Sequence, residues 1–150
     1  MDKPDPAVID AYDPAMHPAQ LVRRVHQKAV QLFAQSVQLR NLSVPQFVAL
    51  VTLRKHGPMM LSQLSRLTSM DPATTTVVVR KLVKDGLIAK TTSETDQRVS
   101  VICLTDSGER YAYAHIPVSI CAGESLLAPL AEDERGQFLT LLRKILTAND

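Results

Sequence analysis

The chain has 150 residues, of which 45% are hydrophobic and 21% charged, and its formal net charge is +2. That length predicts one domain with enough chain to bury a sizeable core. No apolar run is long enough to cross a membrane, and residues 1–13 lack the basic start and apolar stretch of a signal peptide. Two cysteines are too few for a disulfide framework. We therefore expect a cytoplasmic protein without membrane contact.

The basic charge is concentrated in the middle of the chain. Residues 54–104 hold eight basic and four acidic side chains, and residues 14–53 hold four basic side chains and no acidic one. The segments 1–13 and 105–150 each carry a net charge of −3. Basic residues near phosphates supply the sequence-independent part of nucleic-acid affinity, so this distribution is compatible with a nucleic-acid partner. Solvated helix faces would show the same charges, so charge alone leaves both interpretations open.

The first half of the chain predicts an arm and two helices. Four prolines within residues 1–18 predict an extended N-terminal arm. Apolar residues at helical spacing predict a long amphipathic helix over 20–38. Ser43, with Gln46 three positions later, forms a capping box that opens a second helix, and Gly57-Pro58 ends it.

The stretch from Leu61 to Leu104 is the most informative part of the sequence. It predicts, in order, a helix over 63–67, a turn over 68–72, a second helix over 73–85, and two strands over 87–92 and 99–104. Asp71 is suited to cap the second helix, Pro72 suits its first position, and Gly86 ends it. The two strands form a hairpin with a charged tip. This order predicts a winged helix-turn-helix, a fold that places one helix in the major groove of DNA.

The second helix of this motif has two predicted sides. The side facing the core is predicted to lie among Val77, Val78, Val79, Leu82 and Val83. The side left for DNA consists of Thr74, Thr75, Thr76, Arg80, Lys81 and Lys84. The β-branched run over 74–79 favours a strand. We nevertheless predict a helix, because Gly86 can cap it and the hairpin follows at once.

The C-terminal third predicts two further helices. Thr105 caps a helix over 106–128, and Pro117 should kink this helix or break it in two. A last helix covers 131–146. The apolar stripes of the long terminal helices exceed what the central unit can cover, so two copies packed together would bury the excess. The sequence thus predicts a mainly α single domain with a small β-hairpin wing, in which flanking dimerisation helices (19–42 and 105–150) surround a DNA-binding lobe (43–104).

Three local motifs resemble those of the MarR family of bacterial transcriptional regulators. Residues 80–88 read RKLVKDGLI and resemble the end of the family's recognition helix. Residues 96–98 read DQR, like its D-x-R wing tip, and residues 104–108 read LTDSG, like the L-T-x-x-G start of its dimer-spanning helix. The resemblance covers about residues 20–146. It implies a homodimer that binds a palindromic operator in double-stranded DNA, most often as a repressor, and is released by a small ligand or an oxidant.

The resemblance also implies roles for single residues. Arg98 would enter the minor groove at the wing tip, because a narrow groove concentrates negative potential. Asp96 would hold the wing in shape by pairing with a nearby basic group. Base edges or phosphates would be contacted by Thr74, Thr75 and Thr76, and the DNA backbone would be positioned by Lys81, Lys84 and Lys90. Many family members have Arg where this chain has Val77, so either base readout is reduced or Arg80 takes over part of it.

Residues 21–27, LVRRVHQ, are similar to a branch of the family that controls the degradation of aromatic acids. That similarity implies an aromatic carboxylate as the small-molecule effector. Arg23, Arg24 and His26 would supply charge and hydrogen bonds to such an anion. The alternative is that these three are ordinary surface residues of an exposed helix face.

Other functions fit the sequence less well. The four histidines do not cluster with carboxylates or cysteines, and no H-E-x-x-H, G-x-S-x-G or phosphate-binding loop occurs. We therefore expect no enzyme activity, no cofactor and no metal site. A redox sensor would use Cys103 or Cys121, but neither has a basic neighbour in sequence, and inert packing is favoured for both. A winged helix that binds a protein instead of DNA stays open, since fold does not fix function.

Overall fold

A computed structural model describes residues 5–36, 42–92 and 100–148. Its N-terminal segment contains a short helix, α1 (Pro6–Asp10), and a 3-10 turn, Pro14–Met16. The prediction of an extended arm is therefore wrong where these two turns lie. The physical reason is that each begins with Pro directly after an Asp cap, Asp5 or Asp13, whose carboxylate accepts from a backbone N–H two residues later.

The remaining elements follow the order predicted from the sequence. They are α2 (Pro18–Ser36), α3 (Val44–His56), α4 (Leu61–Thr68), α5 (Pro72–Lys84), β1 (Ile88–Thr92), β2 (Ser100–Leu104), α6 (Asp106–Leu127) and α7 (Glu132–Thr147). The mainly helical class with one antiparallel hairpin is confirmed. Helix α4 is longer than its predicted core by two residues before and one after.

Local capping chemistry sets several helix ends. The predicted capping box of α3 is present, since the Ser43 N–H donates to Gln46 Oε1 at 2.8 Å. After α5, Gly86 has φ of 71°, in the left-handed region that favours glycine. Helix α6 is one element across Pro117, so of the two predicted alternatives, a kink or a break, the break does not occur. Buried Ala112 before the proline and buried Ala122 after it hold both halves against the rest of the fold.

The wing is a regular hairpin tied to the helices behind it. Ile88 pairs with Leu104 at its base, and Thr92 pairs with Ser100 towards its tip. Met59, between α3 and α4, forms a further bridge to Ile102. The Met59 N–H donates to the Ile102 carbonyl at 3.1 Å, and the Ile102 N–H donates to the Met59 carbonyl at 2.8 Å. The predicted tip and the first residue of the second predicted strand, residues 93–99, lie outside the described residues.

Two buried clusters build the interior. The larger cluster lies mainly in the lobe formed by α3, α4, α5 and the hairpin, where it contains the fully buried residues Leu50, Leu64 and Leu82, and it extends into α6 through Ala112. The smaller cluster joins α2, α3 and α6 through Phe33, Phe47 and Ala122. The two phenylalanine rings pack at 5.2 Å between centroids. The lobe therefore shares its core with the first half of α6, and the second, smaller cluster connects it to α2 and to the second half of α6.

The terminal helices leave apolar side chains at the surface of the single chain. Helix α7 contains no buried residue, and Leu141, Ile145 and Leu146 on it are 59%, 65% and 77% exposed. On α2, Leu21, Val22 and Val25 are exposed as well. No single helix in the described part of the chain is long and apolar enough to span a membrane, and α6 and α7 pass that test only when joined across a 104° bend.

Candidate nucleic-acid interface

Asp71 fixes the first turn of α5. Its Oδ2 accepts from the Thr74 hydroxyl at 2.6 Å, and its Oδ1 accepts from the Thr74 N–H at 2.8 Å. These bonds favour the charged carboxylate and lower the Asp71 pKa, the hydroxyl bond being the larger cause. The carboxylate also complements the positive end of the helix dipole. The predicted cap is confirmed, and the hydroxyl proton of Thr74 is used within it.

Helix α5 has a buried face and an exposed face at regular helical spacing. The buried residues are Thr75, Val78, Val79 and Leu82. On the opposite side, residues separated by four, three and four positions form one exposed stripe: Ala73, Val77, Arg80 and Lys84. We call these four residues the outward stripe. It is the part of α5 that a ligand approaching from solvent meets first.

The spacing of the buried residues corrects one prediction for α5. The prediction that Thr75 faces DNA is wrong, because Thr75 is fully buried and its hydroxyl donates to the backbone carbonyl four residues earlier at 2.8 Å. Of the five candidates for the inward side, Val78, Val79 and Leu82 are buried, whereas Val77 and Val83 are 62% and 37% exposed. Thr76 is exposed, but its hydroxyl donates to the carbonyl four residues earlier at 2.8 Å.

The predicted basic residues within the described part of the chain are all exposed: Arg80, Lys81, Lys84 and Lys90. Lys81 Nζ donates to both carboxylate oxygens of Asp85, at 2.8 and 2.7 Å. Such an exposed pair one turn apart contributes only about 0.3–0.5 kcal/mol, so a phosphate can compete for the ammonium group. Arg80 and Lys84 form no ion pair with any described residue.

An open groove of about 940 Å³ lies beside the outward stripe, between α4, the start of α5 and Ser100 of β2. Thr76 lines this groove together with Arg66, an exposed residue outside the set of DNA contacts predicted from the sequence. Nothing in the spacing of the sequence signals this neighbourhood, because the two residues belong to different helices. Arg66 adds a positive charge to the same side of the lobe as α5.

Arg98 and Asp96 lie outside the described residues. Their predicted roles in the minor groove and in shaping the wing therefore stay predictions. The described part of the hairpin ends at the paired residues Thr92 and Ser100. The segment 93–99 between them contains Asp96 and Arg98.

The predicted effector residues do not all reach one cavity. His26 lines a cavity of about 420 Å³ between α2 and the start of α3, whose other lining residues are Val30, Phe33, Ala34, Leu42, Ser43, Val44 and Pro45. It also lines a smaller space of about 280 Å³ towards α7. Arg23 and Arg24 are exposed and line neither space, and Arg23 Nε donates to Gln20 Oε1 at 3.0 Å.

The L-T-x-x-G motif at the start of α6 is explained by a close backbone contact. The Thr105 N–H donates to the Leu87 carbonyl at 3.2 Å, and the Thr105 hydroxyl donates to the Gly86 carbonyl at 2.7 Å. The same hydroxyl oxygen accepts from the Gly108 N–H at 3.0 Å. A Cβ on Gly108 would stand 2.0 Å from the Leu87 carbonyl oxygen. Only glycine permits this approach, which ties α6 to the segment directly after α5.

A second contact joins the lobe to α6. Arg54, in the last turn of α3, donates from Nε to Glu109 Oε1 at 2.8 Å. Its guanidinium carbon also lies 5.4 Å from the centre of the Tyr113 ring, which is within the range of a cation–π contact. Helix α6 is thus held to the lobe both at its first turn and along its second.

The two cysteines differ in environment. Cys103 is half-buried on β2, with Sγ 3.7 Å from the Ala89 carbonyl oxygen, which agrees with the predicted packing role. Cys121 is exposed, so the packing predicted for it is not found within the single chain, because Ala122 occupies the buried position of that turn. The described ranges contain no group of three or more His, Cys, Asp or Glu side chains arranged to hold a metal ion.

A capped helix with exposed basic side chains, preceded by a short helix and followed by a hairpin, defines the winged helix-turn-helix class of DNA-binding regulators. The comparisons with known proteins agree. The MarR family model matches residues 42–100. The chain is 31% identical over 139 residues to the HTH-type transcriptional repressor NicR of Pseudomonas putida, covering 93% of this chain and 88% of NicR. The chain belongs to the MarR family, and the resemblance predicted from its motifs is confirmed.

Two solved structures of similar proteins superpose on most of this chain. BpsR of Bordetella bronchiseptica, described as regulated in its DNA binding by 6-hydroxynicotinic acid, superposes with a TM-score of 0.85 at 29% identity, over 91% of this chain and 97% of BpsR. The PcaV transcriptional regulator of Streptomyces coelicolor, in complex with its natural ligand, gives a TM-score of 0.80 at 31% identity, over 93% and 99% of the two chains.

Proposed function

We propose that this chain is a homodimeric transcriptional repressor, which binds a palindromic operator in double-stranded DNA and leaves it when a small aromatic carboxylate binds. The outward stripe of α5 carries this proposal. It places two exposed basic side chains, Arg80 and Lys84, which form no ion pair within the described part of the chain, on a well-packed lobe. Action on DNA implies a location in the cytoplasm.

Each lobe would place α5 in a major groove, with the two half-sites about one helical turn apart. Arg80 lies in the middle of the outward stripe, where a guanidinium can reach base edges or phosphates. Lys84 and Lys90 would neutralise phosphates on the two sides of the groove, and Lys81 would join them when its pair with Asp85 opens. Arg98 would enter the adjacent minor groove, supported by Asp96.

Dimerisation would cover the apolar side chains of the terminal helices. In the single chain, α7 buries none of its residues, and Leu141, Ile145 and Leu146 remain mostly exposed. A second copy that packs the same helices against them removes this apolar surface from water and creates the two-fold symmetry that a palindromic operator requires.

The effector would bind in the cavity between α2 and the start of α3. Its volume of about 420 Å³ falls within the range of small-molecule sites. Phe33 supplies an apolar wall for an aromatic ring, and His26 is a polar side chain whose ring N–H can donate to a carboxylate. Arg23 and Arg24, within one turn of His26, would attract the anion from the helix surface. BpsR, whose DNA binding is described as regulated by 6-hydroxynicotinic acid, supports a ligand of this kind.

The proposal is tested by fluorescence anisotropy with DNA from upstream of the protein's own gene, at two salt concentrations and against an unrelated duplex. We expect selective binding that weakens steeply as salt rises, because phosphate contacts release counterions. Arg80→Ala should weaken it roughly tenfold or more, while Arg110→Ala, an exposed arginine of α6, should not. Salt-independent binding, or equal binding to both duplexes, would instead support a protein-binding winged helix.

The same assay tests the effector site. Addition of 6-hydroxynicotinate or benzoate to the protein–DNA complex should lower the anisotropy. His26→Ala should raise the concentration needed for release, whereas Gln27→Ala, its exposed neighbour on α2, should leave it unchanged. Equal release from the His26→Ala variant would exclude His26 from the effector site.

A further inference from the structure

The outward stripe changes its chemical character along α5. Its first two members, Ala73 and Val77, are apolar, and its last two, Arg80 and Lys84, are cationic. Val77 is 62% exposed and lies opposite the buried face of the helix. It therefore contributes little to the core of the lobe, and its two methyl groups are available to a ligand.

The neighbouring threonines strengthen the apolar character of these first turns. The hydroxyl of Thr74 donates to the Asp71 carboxylate at 2.6 Å, and that of Thr76 donates to the Pro72 carbonyl at 2.8 Å. Both protons are used within the helix, so neither is free for an acceptor on a base. With both hydroxyl protons held in this way, the exposed side chains among residues 73–77 offer a base no hydrogen-bond donor, and each of them presents a methyl group.

Methyl groups have one natural partner in the major groove. The edge of thymine carries a 5-methyl group, whereas the other bases present only hydrogen-bond donors and acceptors there. Residues near the N-terminus of a recognition helix are those that contact base edges. We infer that Val77 reads the 5-methyl group of a thymine in each half-site, with Ala73 beside it. This inference rests on the proposed docking of α5 in the major groove.

The experiment removes single methyl groups from the DNA. A duplex enriched from a random pool on the purified protein is resynthesised with one thymine at a time replaced by deoxyuridine, which keeps the base pair and lacks only the methyl. At one position of each half-site, we expect the loss of one methyl to weaken binding roughly fourfold. Removal from both half-sites should weaken it by roughly tenfold or more.

Variants assign the effect to Val77. Val77→Ala should bind the thymine and deoxyuridine duplexes equally at that position, because the contact is gone. Val83→Ala, a valine of the same helix that lies off the outward stripe, should keep the preference for thymine. Far-ultraviolet circular dichroism confirms that both variants are folded.

Two results would overturn the inference, and they are distinguishable. If wild type tolerates every deoxyuridine, or Val77→Ala keeps the thymine preference, while Arg80→Ala still weakens binding, then α5 docks as proposed and Val77 does not read the methyl. If no duplex is enriched, or Arg80→Ala has no effect, the docking of α5 itself is wrong and the inference falls with it.

Discussion

Replacing Gly108 with alanine adds a methyl group at a place where the backbone leaves no room for one. The new Cβ would stand 2.0 Å from the Leu87 carbonyl oxygen and 3.0 Å from its carbonyl carbon. Ordinary van der Waals contact begins at 3.4 Å, so α6 has to retreat from Leu87 by roughly 1.4 Å. The obstacle is backbone, which cannot turn aside as a flexible side chain would.

The cost of this retreat follows from the hydrogen bonds at the contact. Thr105 donates to Leu87 and Gly86, and it accepts from Gly108, at 3.2, 2.7 and 3.0 Å. Only the first two bonds cross from α6 to the segment after α5, because the third lies within the cap of α6 and moves with it. At about 1 kcal/mol each, the loss of these two bonds destabilises the fold by about 2 kcal/mol. For a domain of this size that corresponds to a fall in Tm of about 4–8 °C.

The assay is thermal unfolding followed by circular dichroism, at one fixed protein concentration because dimerisation makes Tm depend on concentration. Gly123→Ala is the matched control, since it lies on the same helix and its Cβ would meet nothing within 4 Å. We expect this control to be neutral or to gain up to about 1 kcal/mol from the higher helix propensity of alanine. A Gly108→Ala protein that melts within about 2 °C of the control would refute the reasoning.

Three other predictions follow from named contacts. Thr75→Ala should lower the free energy of unfolding by about 1–3 kcal/mol, because it removes a buried, hydrogen-bonded side chain. Urea unfolding measures this loss, and Thr76→Ala should lower the free energy of unfolding by less. Equal losses in the two variants would contradict the assignment of the buried face. Leu141→Asp should shift the protein towards monomer in analytical ultracentrifugation, whereas Leu67→Asp on α4 should not. A Leu141→Asp protein that dimerises as strongly as the wild type would exclude α7 from the interface. The folded-state pKa of Asp71 is lowered, so its charged cap stabilises the fold above the unfolded pKa of about 3.9, and this contribution is lost as the pH falls through the folded pKa. Asp71→Asn caps without titrating, so its Tm should fall less on acidification, and parallel Tm curves would contradict the role of the charge.

Features set by neighbouring residues could be predicted from the sequence. The starts of α3, α5 and α6 each depend on a cap and its partner three residues later, Ser43 with Gln46 being one example. Such contacts form within one turn and need no knowledge of the rest of the fold. The order of helices and strands follows from these signals and from the glycine after α5.

The face of α5 could not be predicted in this way, for a physical reason. Residues 74–76 are all threonine and 77–79 are all valine, so composition suggests a polar block followed by an apolar block. A helix turns through 100° per residue, so each block is divided between the two faces. Thr75 is buried with Val78 and Val79, and Val77 is exposed with Arg80, because packing against α3 and α4 selects one phase of the helix.

The effector side of the site depends on contacts between elements distant in sequence. The cavity is formed where α2 meets the segment 42–45, and only His26 of the three predicted residues lines it. Arg66 and Thr76 share a groove although they lie on different helices. Periodicity places such residues on a helix face but does not show which other helix that face meets.

Helix α3 connects the proposed effector cavity to the proposed DNA-reading helix. Its first turn lines the cavity at Val44 and Pro45, and its middle packs through Leu50 into the same core as α5. Its last turn binds α6 through Arg54. Because a close-packed core does not deform continuously, a ligand that separates α2 from the start of α3 would move the lobe as a rigid body. In the proposed mechanism the ligand releases DNA only to the extent that it binds the displaced geometry more tightly than the DNA-binding geometry. A near-complete switch between the two requires about a 10⁴-fold difference in the ligand's affinity.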